Sequence, residues 1–285
     1  MTFFMSTSSA PYHSDACCSA VAGMLAESSS KATDCRVYVC GRVMIERREC
    51  VLTDAALAGP QGRLLFAFLA TRRNQAIAKT QVIDAVWGTR TPPSADTTIN
   101  AITSKLRAAL RSLGIPAPHG VATEVGTYQF LVPSVWIDLE HARMAIDRAE
   151  GALRRDAPQE AWSDANVAAT IASQSFLPDE QHAWVQQQRE MIARVLRRAL
   201  LVLSVVSTRT GEYELGIQHA AEALTAEPFD ELACQALMRA HAAAGNRAEA
   251  LRVYSKCRKL FRDELGATPS PQTEAVFLQI LRAAE

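Results

Sequence analysis

The sequence predicts a mainly α protein: a small α+β domain built on three short helices, followed by an all-α domain of helical repeats. Three observations lead there. Ile99, Ile102, Leu106, Leu110 and Leu113 fall on one stripe of a helix. Directly after it, residues 121–132 alternate around Gly126 as a β-hairpin does. Farther on, Gly211-Glu212-Tyr213 and Gly245-Asn246-Arg247 open two helix pairs 34 residues apart, the period of tetratricopeptide repeats.

The elements follow in order. Residues 1–33 are rich in Ser and Ala and lack a cationic start followed by an apolar run, so they read as a mobile N-terminal tail and not a secretory signal. Val37, Val39, Val43 and Ile45 alternate with polar or small residues, and Gly41 marks a turn; a small antiparallel sheet is predicted between Cys35 and Leu52. A loop through Gly59, Pro60 and Gly62 leads to a helix carrying Leu64, Leu65, Phe66, Phe68 and Leu69. Val82, Ile83, Val86 and Trp87 make a second helix closed by Gly88, and Pro92 and Pro93 bend the chain before the third. Three short helices with a tight connection to the last form a helix-turn-helix, and a hairpin placed after them is a wing.

Pro133 ends the hairpin and Asp138 is expected to cap the next helix, which puts a domain boundary near residues 133–137. The expected domains are therefore 34–133 and 134–285. Beyond the boundary, helices are predicted at 138–155, 158–173, 179–209, 212–226, 230–244, 246–265 and 270–283, with Gly and Pro between them. Gly216, Ala220, Ala223 and Ala250, and less typically Tyr254 and Cys257, occupy positions where helices of such repeats touch. A short array of this kind offers a surface for another protein rather than a centre for chemistry.

Composition sharpens the division. The chain is formally neutral overall, yet residues 34–135 carry 12 Lys and Arg against 7 Asp and Glu, and residues 136–285 carry 17 against 21. A basic segment beside an acidic one suits a DNA-contacting domain joined to a protein-contacting one. The seven cysteines show no CxxC and no paired His spacing, so neither zinc nor a disulfide framework is predicted; reduced thiols point to the cytoplasm. No cofactor is expected. A phosphate-cradling GxxxxGK[ST] loop is missing, no nucleophile–base motif stands out, and the Asp and Glu of the second half lie among helical polar faces. No apolar run reaches the length of a membrane span.

Taken by pattern alone, residues 97–113 admit two readings. One is an amphipathic core helix with a bland solvent side; the other is a recognition helix, because Thr97, Asn100, Ala101, Ser104, Ala108 and Arg111 make an outward face that is small, hydrogen-bonding and free of acid.

The combination of motifs decides between them. Gly62-Arg63-Leu64-Leu65 with Phe68-Leu69, Val82-Ile83-Asp84-Ala85-Val86-Trp87-Gly88, Thr98-Ile99 with Ser104-Lys105-Leu106-Arg107-Ala108-Ala109-Leu110, and Gly126-Thr127-Tyr128 lie in the first half. Phe176-Leu177-Pro178 before Trp184-Val185, Leu237-Met238-Arg239-Ala240, Ala250-Leu251-Arg252-Val253-Tyr254 and Leu265-Gly266-Ala267-Thr268-Pro269-Ser270-Pro271 lie in the second. In this order they resemble the actinobacterial antibiotic-regulatory-protein (SARP-type) transcriptional activators, which join an OmpR-like winged helix to a bacterial transcriptional activator domain. The resemblance covers about residues 35–283.

It implies a sequence-specific activator that binds direct repeats of double-stranded DNA near a promoter, recruits RNA polymerase and controls a biosynthetic gene cluster. Thr98, Ser104, Lys105 and Arg107 would then contact the major groove and its phosphates, joined from the helical face by Thr97, Asn100, Ala101 and Arg111. Thr127 and Gln129 would reach the minor groove from the wing, where the run Thr127-Tyr128-Gln129 replaces the usual Gly-Tyr-Arg and brings no cation. Thr89, Arg90 and Thr91, in the loop before the third helix, would face polymerase. Two copies on adjacent repeats would self-associate. The competing expectation is a repeat scaffold that binds a regulatory protein without sequence-specific DNA recognition.

Overall fold

The computed structural model describes residues 35–116 and 119–283. The tail expected over residues 1–33 lies outside the described residues.

Strands β1 (Cys35–Tyr38), β2 (Met44–Arg47) and β3 (Cys50–Thr53) form an antiparallel ladder, with Val37 opposite Ile45 and both fully buried. Helix α1 (Gly59–Ala70) follows. It begins earlier than expected: Gly59, Pro60 and Gly62 are its first turn, not a loop, because Pro60 is pre-set for a helical start and Ala58 caps it in a left-handed conformation at φ 62°. Gly62 is required there by space, since a Cβ would lie 1.9 Å from the Leu57 carbonyl oxygen.

Strand β4 (Ile77–Ala78) leads into α2 (Lys79–Trp87), which Gly88 closes at φ 54°. After a short turn at Gly88–Arg90, α3 (Ala95–Ser112) starts two residues before Thr97, so that Asp96 falls in its first turn, where a negative charge opposes the helix dipole favourably. Strands β5 (Gly120–Glu124) and β6 (Thr127–Leu131) make the hairpin, turning at Gly126 with φ 73°. β4 adds to β6, giving the order β4-β6-β5; at two residues it is too short to show a period in the sequence.

The segment expected as the domain boundary contributes β7 (Val135–Ile137), which pairs parallel with β1 and extends the first sheet to β3-β2-β1-β7. Asp138 opens α4 (Asp138–Arg154) but is not its cap. Its buried carboxylate turns outward from the helix and accepts the N–H groups of Val39 at 3.0 Å, Cys40 at 2.9 Å and Leu139 at 2.7 Å. Burial outweighs these three donors and raises its carboxyl from the ordinary range to about 6.

The remaining chain is helical: α5 (Pro158–Ala172), α6 (Ala183–Arg209), α7 (Tyr213–Ala226), α8 (Glu231–Ala243), α9 (Arg247–Leu265) and α10 (Pro271–Arg282). Helix α6 starts at Ala183 rather than 179. Residues 176–180 instead form a loop whose Phe176, Leu177 and Glu180 carbonyls are collected by the Arg189 guanidinium. The repeat contacts fall where the small residues stand. Gly216, Ala220, Ala223, Ala250, Tyr254 and Cys257 are all buried, and Gly216 lets α7 approach α6 so closely that its carbonyl accepts the Ser204 hydroxyl at 2.8 Å.

One apolar core runs from Cys35 through the three short helices and the hairpin to Val206 on α6. Trp184 ties its two parts together: the indole N–H donates to the Ala85 carbonyl at 2.9 Å, and its ring meets Phe68 and Phe176 edge-on. The terminal repeats have smaller clusters of their own, centred on Met238 and Tyr254. Among the described residues no helix is long and apolar enough to cross a membrane, and no group of three His, Cys, Asp or Glu side chains is placed to hold a metal ion.

Candidate nucleic-acid interface

Helix α3 presents two faces because its apolar residues recur at helical spacing. Ile99, Ile102, Leu106 and Leu110 are buried against α1, α2 and the hairpin, and Leu113 follows them into the core just beyond the helix. Thr97, Asn100, Ala101, Ser104, Lys105, Ala108 and Arg111 are exposed along the other side. At 1.5 Å per residue, Thr97 to Arg111 is a front about 21 Å long, with side chains short enough for close approach to a groove. Two long cations stand on it. Neither Lys105 nor Arg111 has a carboxylate within ion-pair distance among the described residues, whereas many arginines elsewhere in the chain are paired.

Both ends of α3 are pinned. At its start Asp96 pairs with Lys79, joining α2 to α3, and the backbone N–H of Lys79 donates to the Gly126 carbonyl at 2.8 Å, joining α2 to the hairpin turn. At its end the Arg47 guanidinium donates to the carbonyls of Leu113 and Gly114, which satisfies helix-terminal acceptors and places a cation at the negative end of the dipole.

The structure sorts the residues singled out from sequence. Thr98 is half-buried, and its hydroxyl donates to the Ser94 carbonyl at 2.9 Å, so this group serves the helix start. Asn100 is exposed, with its carbonyl oxygen accepting the Tyr128 hydroxyl at 3.1 Å. Arg107 does not stand free on the front. Its Nε donates to the Val121 carbonyl and its Nη2 to the Thr123 hydroxyl, each at 2.7 Å, which clamps α3 to β5. Thr127 and Gln129 lie on the outward side of β6, half-buried, because Tyr128 and Phe130 take the inward positions. Thr89, Arg90 and Thr91 are exposed on the turn between α2 and α3, where the Thr91 hydroxyl donates to the Gly88 carbonyl.

A groove of about 310 Å³ separates helix and hairpin, lined by Lys79, Asn100, Thr103, Arg107, Thr127 and Tyr128 among others. Sequence reasoning missed Lys79 here. The available signal was its position as the first residue of α2, two residues after a buried Ile77 that joins the wing. It also missed Val125, fully exposed at the hairpin tip between Glu124 and Gly126, although an apolar residue at a turn is itself a signal.

A winged helix followed by stacked helix pairs is the architecture of a class of transcriptional regulators. The model of the bacterial transcriptional activator domain matches residues 137–281, and the chain belongs to that family, with the SARP-type regulators. It is 28% identical over 254 residues to regulatory protein AfsR of Streptomyces griseus, covering 88% of this chain and 25% of that protein. To regulatory protein DnrI of Streptomyces peucetius it is 27% identical over 230 residues, covering 78% of this chain and 84% of the other. The chain thus spans about a quarter of the length of AfsR. In fold it is similar to Mycobacterium tuberculosis EmbR, solved in complex with a low affinity phosphopeptide: the TM-score is 0.78 at 20% identity, covering 88% of this chain and 65% of that one.

Proposed function

We propose that this regulator is a sequence-specific activator that seats α3 in the major groove of double-stranded DNA, binds direct repeats near a promoter and recruits RNA polymerase to a biosynthetic gene cluster. The observation that carries the reading is the exposed front of α3, short-chained from Thr97 to Ser104 and cationic at Lys105 and Arg111, on a helix whose back and both ends are held by the fold. Residues 34–133 form the DNA-binding part in this reading and residues 134–285 the protein-contacting part. Thr97, Asn100, Ala101 and Ser104 read base edges; Lys105 and Arg111 take phosphates. Thr127 and Gln129 follow the minor groove without adding charge. Arg107 contributes by holding the wing, and Thr98 by holding the helix start.

The test is a gel-shift titration of the whole chain against the duplex upstream of its own gene, with an unrelated duplex of equal length as competitor. Lys105→Ala and Arg111→Ala should each weaken binding and reduce the steepness of its salt dependence by about one unit in log–log slope. Equal affinity for both duplexes, or a double variant that binds as tightly as the parent, sinks the reading in favour of a scaffold.

A further inference from the structure

A sizeable cavity lies away from the α3 front. It is a cleft of about 970 Å³ between the end of α1, helix α2 with the turn after it, and the 179–184 segment that enters α6. Its size falls within the range of small-molecule sites. Aromatic rings line it: Phe68, Trp87 and Trp184. Arg72 lines it too, with its guanidinium stacked 4.2 Å above the Phe68 ring and 5.8 Å from that of Trp184.

Arg72 is unusual in its partners. The neighbouring arginines are paired with acids: Arg73 holds Glu140 with its Nε at 2.7 and 2.8 Å, and Arg63 holds Glu180 through its Nη2 at 3.0 Å. Half-buried Arg72 has no carboxylate within 4 Å among the described residues; its one side-chain hydrogen bond is a long one to the Thr71 hydroxyl at 3.5 Å. Burial without a counter-ion lowers its pKa, the mark of a desolvated cation. Arg90 adds a second cation from the exposed turn. The acids that share the cleft are Glu180, already committed to Arg63, and Asp84 and Asp179, both exposed.

We propose that this cleft binds a small aromatic monoanion, its carboxylate or equivalent head on the Arg72 guanidinium fork and its ring among Phe68, Trp87 and Trp184. A planar fork suits a planar carboxylate, and the three rings supply the apolar contact. Exposed Asp84 and Asp179 select against polyanions such as nucleoside triphosphates. Thr89 and Arg90 line the same cleft, so an occupant touches the turn assigned above to polymerase; that consequence rests on the proposed function, whereas the binding does not.

Isothermal titration calorimetry of the whole chain with 4-hydroxybenzoate, 1-naphthoate and indole-3-acetate tests the site, each paired with its neutral carboxamide and with ATP as the polyanion. At least one acid should bind saturably near one per chain, with its carboxamide and the Arg72→Gln variant each weaker by about tenfold or more. If none of the three acids saturates, or acid and carboxamide bind alike, the site is refuted. The acid–amide comparison on the parent chain needs no variant to fold. Preferential binding of ATP overturns the assigned ligand class.

Discussion

Two arginines that look alike in the sequence of α3 have different work. Arg111 is exposed with no carboxylate within ion-pair distance among the described residues, while Arg107 spends its donors on the Val121 carbonyl and the Thr123 hydroxyl. Arg107→Ala should therefore lower stability by about 1–2 kcal/mol in denaturant melts as well as weaken duplex binding, whereas Arg111→Ala leaves the melt unchanged. Asp138 is the other decisive residue. Replacing it with Ala leaves the N–H groups of Val39, Cys40 and Leu139 without their acceptor at a buried site, a loss of about 3–5 kcal/mol. Its carboxyl sits near 6 in the folded chain and near 4 in the unfolded one, so across that window the folded form binds more protons. Stability from this group is thus greatest below pH 4 and declines as pH rises to about 6. Urea melts at closely spaced pH values should show that decline, and Asp138→Asn should flatten it.

At the scale of elements, α1 and α3 depend on close approach and on capping. Gly62→Ala drives a methyl into the Leu57 carbonyl and should cost about 3 kcal/mol or more, read as a shifted denaturation midpoint with the same m-value. Under the proposed function the turn between α2 and α3 meets polymerase while α3 meets DNA; Arg90 is exposed on that turn, and α3 begins only at Ala95. Arg90→Ala should abolish activated transcription in a reconstituted assay while duplex affinity stays within about twofold of the parent. Loss of both together would show that the turn acts through DNA.

Over the whole molecule, the shared core makes the winged helix and α4–α6 one mechanical body, with Trp184 and Asp138 as its joints. Hydrogen exchange should report this. Amides of α1, α4 and α6 should share one opening free energy, while α8–α10, held by separate smaller clusters, should open at lower cost. If α3 enters the groove as proposed, a rigid coupling of this kind also fixes where the repeat domain sits. Footprinting on one half-site and on two should give tighter binding per site on the pair if two copies self-associate on adjacent repeats; identical affinity per site would rule that out.

What could be read from the chain alone was whatever depends on near neighbours. The two faces of α3, the hairpin around Gly126, the 34-residue repeat and most helix bounds rest on spacings of two to four residues or on turn chemistry, and these are written locally. The exposed front of the candidate interface was legible for the same reason. Tertiary structure alone decided which of its polar groups stay free: Arg107 is diverted by a strand 14 residues on, and Asn100 by Tyr128. It also decided that the expected domain boundary becomes β7, that Asp138 reaches Val39 and Trp184 reaches Ala85, each 99 residues away, and that Arg72 faces a cleft with no counter-ion among the described residues. Such pairings carry no periodicity, because the partner that satisfies a buried donor or charge is chosen by packing and not by position along the chain.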